Sequence, residues 1–313
     1  MLFPAGRYVV SGTNILPSNT HVLCDNAAIV AAPATRWPPI DSHHTKGGIS
    51  SAFLANSGTN FEVSGCQFKF PYRNPNYGEA GYAHILQFVG VSHVHIHDNV
   101  FDGGGDAVAE IGTTDTWEVS NRATNVSNVC YDHWGGFTDA HTNGNYCTAL
   151  DTHGGGVAGI AFTGIATGGG IANSVGFEAR DNVIYMDHNN AQCIEINGHK
   201  SGGTDNNGQI IGNRCLVTGG HFSWGILVTG NSVGGIIKDN LLEGDNGAYS
   251  AVGVYAPAAG WRVIDNAAIN WNSGKKPVFQ STETSGEFRN NNAFASCAEA
   301  PDFVRSRCLE PPQ

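Results

Sequence analysis

The stretch Ile237-Lys238-Asp239-Asn240 carries the phrase that decides the fold: a short β-prone run, a polar residue and an asparagine, followed by a second apolar run. The phrase recurs with its asparagine at Asn99, Asn121, Asn145, Asn182, Asn213, Asn240, Asn266 and Asn291, in steps of 22 to 37 residues. Such variable periods, with short strands and Asn or Gly at the bends, are typical of a solenoid. Asn suits the bends because it tolerates left-handed backbone geometry and its amide can bond along a stack of asparagines.

A third strand precedes each following bend, at residues 84–89, 106–111, 129–134, 157–163, 192–197, 224–229, 251–255 and 277–281. An antiparallel sandwich is the alternative, but its hairpins would need two-residue turns rather than a phrase repeated at coil intervals. We therefore predict an all-β fold, a right-handed single-stranded parallel β-helix with about three strands per coil and roughly ten coils. Residues 1–297 are predicted to form one domain and residues 298–313 a tail, with loops at 36–48 and 71–80.

Composition excludes several other classes of protein. Glycine contributes 42 of 313 residues and charged residues only 14%, which disfavours helical bundles. The formal net charge of −11, with 16 Lys and Arg, argues against nucleic acid as a partner. The sequence has no apolar run long enough to span a membrane, and Met1 is not followed by the pattern of a signal peptide.

The eight cysteines fit no CxxC metal pattern, so no metal site is predicted from them. Cys297 and Cys308 flank a short tail segment, and we predict a local disulfide between them. The other six lie in apolar stretches and are predicted to be core thiols.

The segments Phe3-Pro4-Ala5-Gly6-Arg7, Ile15-Leu16-Pro17 and Cys24-Asp25-Asn26 resemble the entry of the pectate-lyase-like right-handed parallel β-helix superfamily. That group includes polysaccharide lyases, polygalacturonase-type hydrolases and phage tailspike depolymerases. The resemblance implies a polysaccharide or oligosaccharide partner and a secreted, cell-surface or virion-associated location. The capping helix usual in the family is absent before Phe3, so the chain is expected to begin in the first coil or to be capped by another subunit. Tailspike-like members are often trimers, which makes a homotrimer an expectation.

The third strands are where catalytic side chains are expected, because equivalent positions on successive coils stack about 4.8 Å apart. The polar residues that could point outward there are Gln87, Asp106, Glu110, Asp132 or His133, Thr163, Glu195, Asn197 and Thr229. Successive side chains of a strand point to opposite faces, so Glu110 lies on the face opposite Ala109 and Ile111. In the same way, Glu195 lies on the face opposite Ile194 and Ile196. We predict that both glutamates face solvent.

The densest phrase is Tyr131-Asp132-His133-Trp134, with Asp106 and Glu110 on the preceding coil. Carboxylates on adjacent coils would lie about 5 Å apart, close to the separation in retaining glycosidases, and a diagonal pair would approach that of inverting ones. The predicted catalytic residues are Glu110, Asp132, His133 and Asp106. The predicted substrate-binding residues are Trp134, Tyr131, Asp151, His153, Glu195 and Asn197. In the alternative interpretation Asp132 caps a turn and Trp134 packs in the core.

Residues Gly105-Asp106-Ala107 are similar to the Gly-Asp-Asp strand entry of polygalacturonase-type hydrolases, but that family's other motifs have at most a loose match here. A glycan-cleaving hydrolase without a cofactor is the favoured function. A lyase is the rival and would bring Ca²⁺ as a cofactor, although no cluster of three Asp with an Arg base is found on neighbouring third strands. A non-catalytic adhesin or tailspike segment is the third hypothesis.

His93, His95 and His97 alternate along one strand and should share a face. Successive members are about 7 Å apart along an extended strand, so they are predicted not to converge on one metal ion. An exposed sheet face is the expected setting.

Overall fold

The structure, a computed structural model, describes residues 1–32, 51–70, 84–149, 157–164, 172–187, 191–198, 203–218, 223–245, 249–271, 277–283 and 285–309. Their strands form three sheets in which every pairing is parallel. Asp151, His153 and the predicted loops at 36–48 and 71–80 lie outside the described residues.

The three sheets are named here by their strands. Sheet A contains β1 (Leu2–Phe3), β4 (His21–Cys24), β7 (Thr59–Ser64), β10 (Ser92–His97), β13 (Thr114–Val119), β16 (Thr138–Asn143), β19 (Asn173–Arg180), β22 (Thr204–Ile211), β25 (Val233–Lys238), β28 (Ala259–Ile264) and β31 (Glu287–Arg289). Sheet B contains β2 (Gly6–Val10), β5 (Ala27–Ala31), β8 (Gln67–Lys69), β11 (Val100–Asp102), β14 (Arg122–Val126), β17 (Tyr146–Ala149), β20 (Val183–Met186), β23 (Arg214–Val217), β26 (Leu241–Glu243), β29 (Ala267–Ile269) and β32 (Asn292–Phe294). Sheet C contains β3 (Asn14–Ile15), β6 (Ser51–Ala55), β9 (His84–Val89), β12 (Val108–Ile111), β15 (Tyr131–Trp134), β18 (Val157–Thr163), β21 (Ala191–Gly198), β24 (Trp224–Gly230), β27 (Ser250–Val254) and β30 (Phe279–Ser281).

Each strand pairs with the strand three positions further along the chain, so one coil contributes one strand to each sheet. This is the topology of a right-handed parallel β-helix with about ten coils, and the predicted fold is confirmed. The predicted third strands are the strands of sheet C, although β12 begins at Val108 rather than at residue 106.

The interior is one continuous apolar core enclosed by the three sheets. Aromatic side chains stack along the axis: the rings of Phe68 and Phe101 on successive coils are 5.1 Å apart and within 5° of parallel. Such stacking follows from the parallel register, because it places equivalent side chains of successive coils directly above one another.

The predicted asparagine stack is confirmed. Asn182 donates its side-chain amide to Oδ1 of Asn213 at 2.9 Å, and Asn213 donates to Oδ1 of Asn240 at 3.0 Å. The left-handed backbone, however, belongs to the residue before each of these asparagines, such as Asp181 with φ 56° and Asp239 with φ 56°. The ladder asparagine therefore acts through its side chain, while its predecessor makes the bend.

All eight cysteines form disulfides: Cys24–Cys66, Cys130–Cys147, Cys193–Cys215 and Cys297–Cys308. The predicted Cys297–Cys308 bond is confirmed, and the prediction of six core thiols is wrong. Cys130 and Cys147 show the reason, because their Cα atoms are 6.1 Å apart although 17 residues separate them. Coil length varies along this chain, so spacing in the sequence does not show which cysteines meet.

The C-terminal segment contains a 3₁₀ turn, Cys297–Glu299, and one short helix, α1 (Asp302–Arg305). Ala300 and Val304 pack against Leu241, Ala267 and Ile269 of sheet B in a cluster separate from the main core. Among the described residues, no helix is long and apolar enough to cross a membrane.

Candidate functional site

Side-chain direction in sheet C decides which polar residues can meet a ligand. Glu110 pairs in register with Phe88 on one coil and with His133 on the next, and His133 pairs with Phe162. Phe88 and Phe162 belong to the main core, so this row faces the interior. The alternate row, Gln87, Ala109, Asp132, Ala161 and Glu195, faces outward.

The prediction that Glu110 faces solvent is therefore wrong, and His133 lies beside it in the interior. Both side chains are fully buried. Tyr131, predicted to stack on a sugar, is also fully buried and packs in the main core. Alternation in the sequence separates the two faces of a strand but does not say which is inside, and here a polar row turns inward because it finds partners there.

The partners of His133 come from its own sheet and from sheet A. His133 Nδ1 lies 3.0 Å from Glu110 Oε2, and its Nε2 lies 3.2 Å from Oε2 of Glu118 in β13 and 2.7 Å from Thr142 Oγ1 in β16. Burial by itself lowers the pKa of His133, but the Glu118 and Glu110 carboxylates outweigh it and raise the pKa to about 10. Burial raises the pKa of Glu118. The interior thus contains a protonated histidine between two glutamates, closed off from a polymer outside.

On the outward side, the first candidate carboxylate is Asp106, which is fully buried just before β12. Its Oδ1 accepts hydrogen bonds from Asn128 Nδ2 at 2.7 Å and from the Val129 backbone N–H at 2.9 Å. Its Oδ2 lies 2.6 Å from Nδ1 of His84. Sequence reasoning missed His84, although its position at the start of a third strand, one coil before Asp106, was the available signal. Three partners hold this carboxylate in place.

Asp132 is the second outward carboxylate, and its pKa is raised well above the ordinary value. Burial is the main cause, followed by the nearby negative charges of Asp106 and Glu195. At 7% exposure, Asp132 retains a narrow contact with solvent. A buried carboxyl group whose neighbours favour the neutral form is suited to donate a proton.

Glu195 is the third outward carboxylate and is partly exposed. Burial raises its pKa, while a 3.2 Å hydrogen bond from Asn197 Nδ2 to its Oε1 acts in the opposite direction. Asp132 stacks on Ala161, and Ala161 stacks on Glu195. The two carboxylates are thus two coils apart, roughly 10 Å along the helix axis. Between them, Ala161 has a small side chain that is buried, with 4% exposure, in an apolar cluster with Val129 and Ala158.

Trp134 and Asn197 occupy a second outward row, in which Trp134 pairs with Thr163 and Thr163 with Asn197. Trp134 is buried, with 4% exposure, yet it does not belong to the main core. Asn197 is partly exposed and orients Glu195. Of the predicted site residues, Asp132 and Glu195 share one outward row, and the buried Asp106 lies near Asp132. Glu110, His133 and Tyr131 lie in the interior.

Within the described ranges, two groups of side chains have ligand atoms close enough to share a metal ion. One is the interior set Glu110, Glu118 and His133; the other is Glu243 with Cys297 and Cys308, whose sulfurs are joined in a disulfide. Neither offers the all-oxygen coordination that Ca²⁺ prefers. The cofactor expectations stay predictions.

Comparison with solved structures finds several chains of low sequence identity. The Streptococcus pneumoniae surface protein and adhesin PfbA is 12% identical, with 93% of this chain and 89% of that chain covered and a TM-score of 0.44. The Dettilon tailspike protein gp208 is 13% identical, with coverages of 90% and 62% and a TM-score of 0.41. The catalytic domain of a GH87 α-1,3-glucanase, in complex with nigerose, is 12% identical, with coverages of 93% and 64% and a TM-score of 0.38. No family model matches the sequence, and comparison with curated proteins finds no match.

Proposed function

We propose that this protein hydrolyses glycosidic bonds on the outer face of sheet C, with Asp132 as general acid and Glu195 as general base. One observation carries the proposal: Asp132 lies buried near Asp106 and is separated from Glu195 by the small side chain of Ala161. The stacking distance of roughly 10 Å is close to the separation of the carboxyl groups in inverting glycosidases, about 6.5–9.5 Å.

In the proposed reaction, Asp132 gives its proton to the glycosidic oxygen as the bond to the anomeric carbon breaks. A water molecule bound beside Glu195 attacks that carbon from the opposite side and loses its proton to Glu195. Asp106, held by His84 and Asn128, lies near Asp132 and helps to raise the pKa of that acid. Each carboxyl group then has a separate role set by its surroundings.

Hydrolysis is favoured over β-elimination by the residue types on this sheet. None of the described strands of sheet C carries a Lys or Arg. A lyase acting on acidic glycans needs cationic groups to stabilise the developing negative charge, whereas an outer face of carboxylates and amides matches acid–base hydrolysis. A polysaccharide without acidic groups is accordingly the substrate class that we propose.

Amide variants test the assignment. We expect Asp132→Asn and Glu195→Gln each to lower the rate of reducing-end release from a susceptible neutral polysaccharide by 10²–10⁴-fold, as roughly expected for loss of general acid or base catalysis. Glu287→Gln on sheet A, which makes the same chemical change at an exposed site, should leave the rate unchanged. NMR of the first product should show inversion at the anomeric carbon. Full activity in both site variants would place catalysis elsewhere, and a product absorbing in the near ultraviolet would indicate a lyase.

The non-catalytic adhesin or fibre segment makes a different prediction in the same experiment. A panel of neutral and acidic polysaccharides would then be bound without being shortened by the wild-type chain. We also propose an extracellular or surface location, because four disulfides suit an oxidising compartment. The homotrimer stays a prediction, which light scattering would check.

A further inference from the structure

A second polar surface, unrelated to sheet C, lies on the outer face of sheet A. His21, Glu62, His95, Trp117 and His141 follow one another in register on successive coils. The rings of His95 and His97 lie 4.3 Å apart, closer than the roughly 7 Å that separates alternate positions along a strand. The strand repeat spaces their Cα atoms, whereas the rings lean towards each other.

This column borders a groove of about 450 Å³. The side chains in its lining that we expect to contact a ligand are Asn60, Glu62, His93, His95, Asp115 and Trp117. We call this set the sheet A groove. His93 and Asp115 adopt left-handed backbone geometry, with φ of 53° and 56°, and interrupt the regular pairing of β10 with β13. Both side chains line the groove together with Trp117.

Trp117 forms a fixed aromatic platform in this groove. The side chain is 40% exposed, and its ring lies flat on His141, with ring centroids 3.8 Å apart and planes within 13°. Its Nε1 donates to Asp115 Oδ1 at 2.8 Å, and Asp115 Oδ2 contacts His93 Nδ1 at 2.5 Å. The ring plane is therefore held from one side and from its edge before any ligand arrives, which lowers the entropic cost of stacking on it.

The polar groups around the platform are also held in place. Glu62 lies between two histidines, with Oε2 3.0 Å from His21 Nδ1 and Oε1 3.2 Å from His97 Nε2. Asn60 adds an amide at the edge of the groove. An aromatic face with hydrogen-bonding groups at its rim matches a pyranose, whose C–H face is apolar and whose hydroxyl groups project sideways. The lining has two carboxylates and no Lys or Arg, so it disfavours uronic acids.

We propose that the sheet A groove binds a neutral pyranosyl unit, with the sugar's apolar face on Trp117 and its hydroxyl groups on Asp115, Glu62 and His95. This is a binding site without a cleavage function, on a different sheet from Asp132 and Glu195. It would retain a polysaccharide chain on the enzyme or, if the chain does not cleave glycans, serve by itself as a glycan-recognition surface. The inference does not depend on the proposed hydrolysis.

The test uses the full chain carrying Asp132→Asn, so that cleavage cannot alter the ligand. Neutral gluco- and manno-oligosaccharides and, separately, oligogalacturonates are titrated while the ¹⁵N–¹H signals of the indole groups are followed. The Trp117 signal is assigned by comparison with Trp117→Phe. We expect neutral oligosaccharides to shift the Trp117 signal, Trp117→Ala to weaken their binding at least tenfold, and Trp117→Phe to retain part of it.

Val233→Ala is the matched control, because Val233 is 48% exposed on the same sheet and lies outside the groove lining. It should leave binding unchanged, and circular dichroism should show that each variant is folded. The proposal is overturned if neutral oligosaccharides leave the Trp117 signal unmoved, if Trp117→Ala binds them as tightly as its parent, or if only oligogalacturonates bind. Unchanged cleavage by the Asp132→Asn chain would refute the role of Asp132 alone, because an immediate shift of the Trp117 signal reports binding even if the oligosaccharide is later shortened.

Discussion

Replacing Asn182 with alanine tests how much the asparagine ladder stabilises the β-helix. The side chain of Asn182 makes three hydrogen bonds. Its Nδ2 donates to Thr142 O at 2.7 Å and to Asn213 Oδ1 at 2.9 Å, and its Oδ1 accepts from the Asn145 backbone N–H at 2.8 Å. Asn182 is 1% exposed, so water cannot replace these bonds.

The expected loss follows from that count. Three bonds at about 1 kcal/mol each, plus about 1–2 kcal/mol for leaving the Asn145 N–H buried without an acceptor, give a destabilisation of about 4–5 kcal/mol. This is a large part of the roughly 5–15 kcal/mol that stabilises a typical domain. Asn291→Ala is the matched control, because Asn291 ends the ladder and is partly exposed, so water can satisfy the groups that it leaves.

The assay is urea unfolding followed by circular dichroism and tryptophan fluorescence, or the unfolding rate if the transition is irreversible. We expect Asn182→Ala to lower stability by at least twice as much as Asn291→Ala. Equal effects, or a loss below about 1 kcal/mol at Asn182, would refute the argument that the buried ladder contributes through hydrogen bonds closed to solvent.

Three further predictions concern stability. Burial raises the pKa of Asp205 to about 7 and also raises those of Glu118, Asp132 and Glu195, so the folded chain binds more protons than the unfolded chain above about pH 4. Thermal unfolding should show stability falling as pH rises from 4.5 to 7.5, by on the order of 3 kcal/mol from Asp205 alone, and Asp205→Asn should flatten the profile; a rise with pH would contradict this reasoning. Replacing His133 with Gln leaves Glu110 and Glu118 without their buried cation and should cost about 3–5 kcal/mol in urea unfolding, more than Glu287→Gln at the surface; equal effects would argue against the buried ion pairs. Removing the Cys24–Cys66 disulfide, which joins residues 42 apart, should cost about 4 kcal/mol, against about 3 kcal/mol for Cys297–Cys308, which joins residues 11 apart; the reverse order in paired Cys→Ala variants would contradict the loop-entropy account.

The architecture was predictable because it depends on local sequence features that recur along the chain. A polar residue or Gly followed by Asn, as at Asp181-Asn182 and Asp239-Asn240, recurs in each coil from Asn99 to Asn291 and marks the bend between sheets A and B. The parallel register then follows, since identical bends stack only when successive coils stack. The cysteine pairing had no such signal, because Cys130 meets Cys147 across the interior of a coil whose loop length the sequence does not reveal.

The candidate site was predictable only in part. Asp132 and Glu195 lie in the outward row of sheet C as expected, whereas Asp106 is fully buried before β12, and Glu110 and His133 are enclosed with Glu118. The same alternation that correctly grouped Glu110 opposite Ala109 could not tell which of the two faced the core.

The sequence alone determined the coil, the order of its strands and which residues share a face of each strand. These features depend on neighbours within one repeat. Only the tertiary structure decided which row of sheet C is inside, which cysteines meet and how Trp117, His141 and Asp115 form one platform on sheet A. Those outcomes depend on contacts between different coils and opposite walls. Whether a glutamate is enclosed or exposed is set by the partner that the fold brings to it, as His133 is brought to Glu110.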